Sequence, residues 1–130
     1  MKKYIKVILI VLCFTVLTGC GIGKLSDKYS EDTLKKEVEG IIDNFNNGQY
    51  EDIIAKGDEV LQSKLRSDQL KDVWEGISPK LGSYEEISKI AFQEKDGIAV
   101  VVAIARYENS KVQFTMSFNE DMKLVGIYIK

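Results

Sequence analysis

Residues of the types that perform acid–base or metal chemistry are few in this sequence and lie far apart. The 130 residues include no histidine and two cysteines, Cys13 and Cys20, so the side chain most often used as a catalytic base or metal ligand is absent. The acidic pairs Glu31-Asp32 and Glu120-Asp121 fall at a predicted helix start and a predicted turn, where solvated carboxylates are usual. The twelve-residue spacing of a calcium loop does not occur around them. We therefore predict no metal site and no cofactor.

A nucleophilic enzyme also finds no support, since the sequence has no Gly-x-Ser-x-Gly elbow. The remaining combination with catalytic capacity is Glu86 with Tyr84 or Tyr107, because a carboxylate and a phenol can act as general acid and base. We expect a protein that is not an enzyme, and carboxylate–tyrosine chemistry is the least favoured alternative.

The N-terminal region has the composition of an export signal. Lys2, Lys3 and Lys6 precede the apolar run 7–17, which is shorter than the roughly 20 apolar residues needed to cross a bilayer. The segment Leu17-Thr18-Gly19-Cys20 follows this run and resembles the lipobox of bacterial lipoproteins.

The lipobox resemblance implies where in the cell the protein is located. It implies that the thiol of Cys20 is diacylated, that the precursor is cut between Gly19 and Cys20, and that the mature protein is anchored at the outer face of the cell membrane. Cys13 would leave with the signal peptide. An ordinary signal peptide cut near Gly19, which leaves a free thiol, is the alternative. We assign residues 1–19 to the signal peptide, 20–29 to a lipidated tether and 30–130 to a single domain.

The charge balance argues against nucleic acid as a partner. The chain has 18 basic and 20 acidic residues and a formal net charge of −2. Three of the basic residues, Lys2, Lys3 and Lys6, belong to the signal, so the remaining domain is more acidic than the whole chain. Nucleic-acid binding relies on basic patches and counterion release, which an acidic domain does not provide.

Apolar residues recur at helical spacing in the first half of the domain. Ser30 is placed to cap a helix, and Asn46-Asn47-Gly48 is placed to end it. Its apolar stripe consists of Leu34, Val38, Ile41, Ile42 and Phe45. Further helices are predicted over Tyr50–Lys56, over Asp58–Leu65 with apolar residues Val60, Leu61 and Leu65, and after a cap at Ser67 with the stripe Leu70, Val73, Trp74 and Ile77.

From Tyr84 onward the apolar period changes to two, which is typical of strands. Asp96-Gly97 predicts a tight hairpin turn between strands over 84–95 and 98–108. Asn109-Ser110 and residues 120–122 predict two more turns, with strands over 111–119 and 124–130. Helices followed by consecutive hairpins predict the α+β class, with the N-terminal helices packed on one face of a curved four-stranded antiparallel meander.

The strand over 98–108 is apolar on both faces, which indicates a central position in the sheet. One face presents Ile98, Val100, Val102 and Ile104, and the other presents Ala99, Val101, Ala103 and Ala105. The row of small side chains leaves room either for a closely packed helix or for a cavity, and the sequence does not decide between them.

Four segments of the domain resemble a known family. They are F-N-N-G-Q-Y-E-D-I-I (45–54), L-K-D-V-W (70–74), L-G-S-Y (81–84) and F-N-E-D-M-K-L-V-G-I-Y-I (118–129). Together they resemble a small bacterial domain of unknown function that is often found ahead of an α/β-hydrolase domain or alone on exported proteins. That domain is similar to the nuclear-transport-factor-2-like (cystatin-like) group. The resemblance covers about residues 30–130 and implies a bent sheet wrapped around a long helix to form a cone. None of the segments is catalytic, so no hydrolase activity is expected.

The cone suggests candidate binding residues. Trp74, Tyr84, Tyr107, Phe114 and Met116 are candidates for the lining of a cavity, although periodicity alone explains Trp74, Phe114 and Met116 as core residues. We expect a non-catalytic interaction or binding domain with a protein or cell-envelope partner on the exposed face of the sheet. A homodimer through that face and a small apolar ligand inside the cone are the alternatives.

Overall fold

A computed structural model describes residues 24–130, so Gly19, Cys20 and the whole predicted signal peptide lie outside the described residues. The described part has four α-helices followed by four strands: α1 Glu31–Asn46, α2 Tyr50–Ala55, α3 Glu59–Lys64, α4 Ser67–Ile77, a short 3-10 turn Ser78–Lys80, β1 Tyr84–Lys95, β2 Ile98–Tyr107, β3 Lys111–Phe118 and β4 Leu124–Ile129. Among these helices, none combines the length and the apolar character that a membrane span requires.

The strands form one antiparallel sheet in the order β1-β2-β3-β4, which confirms the predicted α+β meander. Asp96 and Gly97 both have positive φ angles, 54° and 81°, as a two-residue hairpin turn of the type favoured between twisted strands requires. Edge strand β1 contains two register irregularities, between Tyr84 and Glu86 and between Ile87 and Lys89. Such bulges bend an edge strand and discourage pairing with another chain.

Helix α1 forms as the sequence predicts. The Ser30 hydroxyl accepts a hydrogen bond from the backbone N–H of Thr33 at 3.3 Å, which satisfies one of the free donors at the helix start. Acidic side chains at Glu31 and Asp32 complement the positive end of the helix dipole. The entire apolar stripe, Leu34, Val38, Ile41, Ile42 and Phe45, is buried.

The shorter helices form where predicted, with small differences at their ends: α2 ends at Ala55 instead of Lys56, and α3 covers Glu59–Lys64 instead of Asp58–Leu65. The N-cap of α4 is Arg66 rather than Ser67, which is the first helical residue. The reason is local, because the side chain of Gln69 accepts a hydrogen bond from the backbone N–H of Arg66 at 2.8 Å and so fixes the helix start one residue earlier. In α3, Leu61 is buried, while Val60 is 56% exposed because it lies on the solvent side of this short helix.

The interior of the cone is filled. Ala99, Ala103 and Ala105 on β2 have no solvent exposure, and α1 packs against this strand. The space above these small side chains is occupied by large apolar groups that are all but inaccessible to solvent, among them Phe45, Phe114, Met116 and Phe118. The alanine row therefore accommodates a closely packed helix, which was one of the two readings that the sequence left open.

Two tyrosines connect the ends of α1 to the two ends of β2. Just before α1, the Tyr29 hydroxyl lies 2.5 Å from the carbonyl oxygen of Gly97 and 3.2 Å from that of Phe118. At the other end of α1, the side-chain oxygen of Asn46 accepts a hydrogen bond from the Tyr107 hydroxyl at 2.5 Å. The helix is thus fixed along the sheet, and its last turn stands at the mouth of the cone.

Candidate functional site

A cleft of about 310 Å³ opens at the mouth of the cone, where α1 and β2 end, α4 runs into the 3-10 turn and β1 begins. Its walls combine aromatic rings with small polar groups: Asn46, Trp74, Ser78, Leu81, Gly82, Ser83, Tyr84 and Tyr107. Three of the five residues predicted to line a cavity, Trp74, Tyr84 and Tyr107, meet here.

Secondary structure explains how these three aromatic residues converge. Tyr84 begins β1 and is the direct cross-strand partner of Tyr107 at the end of β2, so both side chains project to the same face of the sheet. Trp74 lies on the buried face of α4, which leads into the 3-10 turn and then to Gly82. The hairpin and the helix therefore present their rings to one another at the same end of the sheet.

The three rings form a continuous aromatic wall. The ring centres of Tyr84 and Tyr107 are 5.3 Å apart at an interplanar angle of 61°, and those of Trp74 and Tyr107 are 6.0 Å apart at 55°. These edge-to-face and tilted arrangements are the favoured geometries for aromatic pairs. Trp74 also contacts Phe45 and Phe114, so the wall is supported by the core beneath it.

Burial shifts the pKa of the central tyrosine, Tyr107. Desolvation raises the pKa of Tyr107 well above its ordinary value, and the hydrogen bond to Asn46 opposes that rise without cancelling it. The phenol, which would be neutral at physiological pH even with its ordinary pKa, donates its proton to a hydrogen bond with Asn46. The neighbouring Tyr84 also has a raised pKa, first because it is partly buried and then because of the charges of Asp43, Glu39 and Glu86.

The charges that act on the two cleft tyrosines come from carboxylates. None of its lining residues is lysine or arginine. Asp43 and Glu39 are exposed on α1, three and seven residues before Asn46, and this spacing puts them on the same side of the helix as Asn46. The carboxylate of Glu108 lies over the rim, where its Oε1 accepts a hydrogen bond from the backbone N–H of Ser83 at 3.3 Å. These carboxylates are therefore placed to attract positive charge to the cleft tyrosines.

Comparison with known proteins identifies the family. The model of a family described as "Protein of unknown function (DUF3887)" matches residues 38–127. The chain belongs to the DUF3887 family. Among solved structures, the NMR structure of a protein from Ruminococcus gnavus ATCC 29149 is similar, with a TM-score of 0.72 and 25% sequence identity over 82% of this chain and 96% of that one. No curated protein matches the chain.

In this DUF3887 domain, the other two predicted lining residues lie elsewhere. Phe114 and Met116 on β3 have no solvent exposure and belong to the filled core, beneath the cleft rather than along it. Strand alternation identifies the face on which a side chain lies, but it does not show how deeply that side chain is covered. Sequence reasoning also missed Asn46, Ser78 and Ser83 as cleft residues, because each was interpreted only as part of a helix end or a connection.

The carboxylate–tyrosine pair considered for catalysis does not assemble in the cleft of the DUF3887 domain. Glu86 pairs with Arg106 in the strand register, on the face opposite Tyr107, and its carboxylate forms an ion pair with the Arg106 guanidinium. Among residues 24–130, the buried polar side chains are those of Lys95 and Ser117, so no carboxylate of the described domain is buried. The same residues contain no group of three or more acidic side chains close enough to hold a metal ion.

Two other surfaces of the described domain stand out. A groove of about 400 Å³ lies between the first turns of α2 and α4, and charged side chains, Glu51, Asp52, Asp68 and Lys71, make up half of its lining. The outer face of the sheet carries Ile98, Val100, Val102 and Ile104 on β2, where Val100 is buried and the other three are partly buried.

Proposed function

We propose that this protein is a non-catalytic binding module that takes a small ligand in the cleft formed by Trp74, Tyr84 and Tyr107. We further propose that the module is exported and held at the outer face of the cell membrane by a lipid on Cys20. The likeness of residues 17–20 to a lipobox supports this location. The likeness of the domain to the nuclear-transport-factor-2-like group is part of the same proposal, although that fold by itself does not determine function.

The cleft is the observation on which the binding proposal rests. Its volume of about 310 Å³ lies at the lower end of the range of small-molecule sites. It combines apolar ring surface with the convergent polar groups of Asn46, Ser78 and Ser83, a combination that gives a ligand both affinity and orientation. The filled core below it leaves no room deeper in the cone, so a ligand would occupy the mouth.

The charges favour neutral or positively charged ligands over anions. An anion would approach Asp43, Glu39 and Glu108 without a basic lining residue to receive it. A cation would be attracted by these carboxylates and by the face of the partly exposed Tyr84 ring. The ligand class that fits best is therefore a small organic molecule with an aromatic or aliphatic body and a neutral or cationic polar group.

The absence of catalysis is proposed from the state of the ionisable groups. Tyrosine phenols are protonated near neutral pH, and the pKa values of Tyr84 and Tyr107 lie above the ordinary value, so both side chains serve as hydrogen-bond donors rather than as bases. The carboxylates near the cleft are exposed, and Glu86 is paired with Arg106. Such groups bind and orient a ligand without moving protons.

The sole tryptophan of the chain provides a direct test of binding. Trp74 lines the cleft, so its fluorescence reports ligand entry without a label. We expect a saturable fluorescence change when the purified Cys20→Ala protein is titrated with small aromatic amines, and loss of that change in Tyr84→Ala. The matched control is Tyr128→Ala on the outer face of the sheet, which should leave the titration unchanged. Saturation that persists in Tyr84→Ala and disappears in Tyr128→Ala would contradict the proposed site.

The anchor is tested separately in cells. Two acyl chains on Cys20 hold a protein stably on a bilayer, whereas a single chain holds it only marginally. Cys20→Ala should therefore move the protein from the membrane fraction to the soluble exported fraction. Cys13→Ala is the matched control, because Cys13 would be removed with the signal peptide, and that variant should remain in the membrane fraction. Retention of Cys20→Ala in the membrane would refute the lipid anchor.

The outer face of the sheet favours a second candidate function, the binding of a protein or cell-envelope partner or of a second copy of the chain. The observation is the row Ile98, Val100, Val102 and Ile104, which is apolar on the face away from the helices. Crosslinking in intact cells with mass spectrometry, combined with the solution mass of the purified protein, tests it. Loss of a crosslinked partner or of a dimer in Val102→Lys, with unchanged Trp74 titrations, would assign the interaction to this face.

A further inference from the structure

We infer that the anchored domain stands with its cleft directed away from the membrane and with the turns between β1 and β2 and between β3 and β4 nearest the lipid. The end of the domain that contains these two turns, residues 96–97 and 119–122, is called the turn end. The opposite end, residues 82–84 and 107–110, is called the cleft end. The inference rests on the proposed lipid at Cys20 and goes beyond it, because the lipid alone sets no orientation.

The chain that leads from the proposed anchor is attached to the turn end. The backbone N–H of Ser26 donates to Oε1 of Glu94 at 2.7 Å, and Nζ of Lys28 lies 3.0 Å from Oε2 of Glu120. The buried Tyr29 ring places its hydroxyl at the carbonyl oxygens of Gly97 and Phe118. The sequence prediction placed all of residues 20–29 in the tether, whereas in the structure Ser26 and Tyr29 are bonded to the β1–β2 hairpin and to β3.

The chain between Cys20 and Ser26 is shorter than strand β2. Ser26 is six residues after Cys20, and a chain of that length spans at most about 22 Å when fully extended. The turn end and the cleft end lie at opposite ends of β2, whose Ile98 and Tyr107 are nine residues apart, or about 30 Å along a strand. If the domain were inverted, with the cleft end against the bilayer, Ser26 would be farther from the surface than the tether can reach. The inverted orientation is therefore excluded by chain length.

The charged side chains at the turn end do not by themselves hold it near the lipid. Lysines and acidic residues alternate there: Lys24, Lys28, Lys95 and Lys123 are mixed with Asp27, Glu94, Asp96, Glu120 and Asp121. This balance provides no net positive patch that would bind an anionic lipid surface by itself. The orientation therefore comes from the short covalent connection and its attachment at Ser26 and Tyr29. The consequence for function is that the cleft faces the surroundings of the cell and receives ligands from that side.

The experiment measures distance to the membrane at each end of the domain. The lipid-modified protein, purified with Asp121→Cys or with Ser110→Cys, is labelled with a fluorescent donor and placed in vesicles that contain an acceptor on the lipid headgroups. Both positions are exposed, and both substitutions leave the nearby backbone hydrogen bonds in place. We expect higher energy transfer from residue 121 than from residue 110. Equal transfer, or higher transfer from residue 110, would overturn the inference.

A lengthened tether supplies the control. Insertion of 20 Gly/Ser residues between Gly23 and Lys24 adds a flexible chain with an average span of about 25 Å, and we expect it to abolish the difference between the two labels. A difference that survives the insertion would show that something other than the short tether orients the domain. If Cys20→Ala abolishes the orientation and the membrane association together, the anchor holds. If Cys20→Ala stays on the membrane, the anchor proposal and this inference both fail, whereas equal transfer with an intact anchor overturns the inference alone.

Discussion

The Tyr107 hydroxyl donates a hydrogen bond to Oδ1 of Asn46 at 2.5 Å, across 61 residues of chain. This bond connects the last residue of α1 to the last residue of β2 and forms one wall of the cleft. The shape of the proposed binding site therefore depends on a contact between two elements that fold from distant parts of the sequence. The same bond helps to hold the long helix in place over the sheet.

Tyr107→Phe should destabilise the domain modestly. The substitution keeps the ring and its contacts with Trp74 and Tyr84 but removes the donor, and exposed Asn46 can turn to water, so we expect a loss of about 1 kcal/mol in the free energy of unfolding. For a domain of this size, that loss corresponds to a fall in melting temperature of about 4–8 °C. Tyr128→Phe on the outer face is the control and should change the melting temperature far less; equal effects would contradict the role of the Asn46 contact.

Stability should fall at alkaline pH, and Tyr107 should contribute to the fall. Burial raises the pKa of Tyr107 above the ordinary value of 10.0, so above about pH 10 the unfolded chain has lost a proton that the native protein keeps. The contribution of this group is complete below pH 10 and declines, by about 1.4 kcal/mol per pH unit at most, as the pH rises towards the native pKa. Denaturant unfolding between pH 9 and 11 measures the slope. Tyr107→Phe should give a shallower slope, and an unchanged slope would show that other groups cause the loss.

Gly82→Ala should destabilise the rim of the cleft, while Gly76→Ala should not. Gly82 has a φ of +80°, and an added Cβ would lie 2.8 Å from Cβ of Glu108, so the substitution combines backbone strain with a close contact and should cost about 1–3 kcal/mol. Gly76 lies in α4 with nothing within 4 Å of an added Cβ, and alanine there should raise stability by up to about 1 kcal/mol. Thermal unfolding of both variants measures this contrast, and a similar loss in each would refute it.

Much of this fold can be predicted from the sequence, because its helices and hairpin turns are determined by residues that lie close together in the chain. The stripe from Leu34 to Phe45 predicts α1, and Asp96-Gly97 predicts a hairpin whose positive φ angles the structure confirms. The N-cap of α4 was predicted at Ser67 rather than Arg66, because the decisive hydrogen bond runs from the backbone N–H of Arg66 to the side chain of Gln69, three residues later.

The cleft is harder to predict because its lining comes from separate segments. The cleft brings together Asn46, Ser78 and Tyr107, which come close to one another only after α1 has packed along β2. Their spacing in the sequence does not predict that proximity. Likewise, the alternation that assigns Phe114 and Met116 to the inner face is the same for a core residue and for a cavity wall. Depth below the surface depends on which helices cover the face, and that is a property of the assembled domain.

The ligand preference of the cleft should depend on charge. Benzylamine, which is cationic at neutral pH, should bind about three- to tenfold more tightly than benzoate, or about 0.7–1.4 kcal/mol, because Asp43 and Glu39 act on the cleft and no basic residue lines it. Trp74 fluorescence measures both affinities. The ratio should shrink in 0.5 M salt and in the double variant Glu39→Gln with Asp43→Asn. Tighter binding of benzoate would contradict the proposed ligand class.

The most direct test of the binding proposal is a ¹H–¹⁵N NMR titration of the Cys20→Ala protein with benzylamine, observed at the indole N–H of Trp74. We expect saturable shifts of this signal and of the backbone amides of Ser83, Tyr84 and Tyr107, while the amides of Val102 and Tyr128 on the outer face of the sheet stay unchanged. Shifts confined to the outer face, or an indole signal that does not move at any concentration, would contradict the binding proposal.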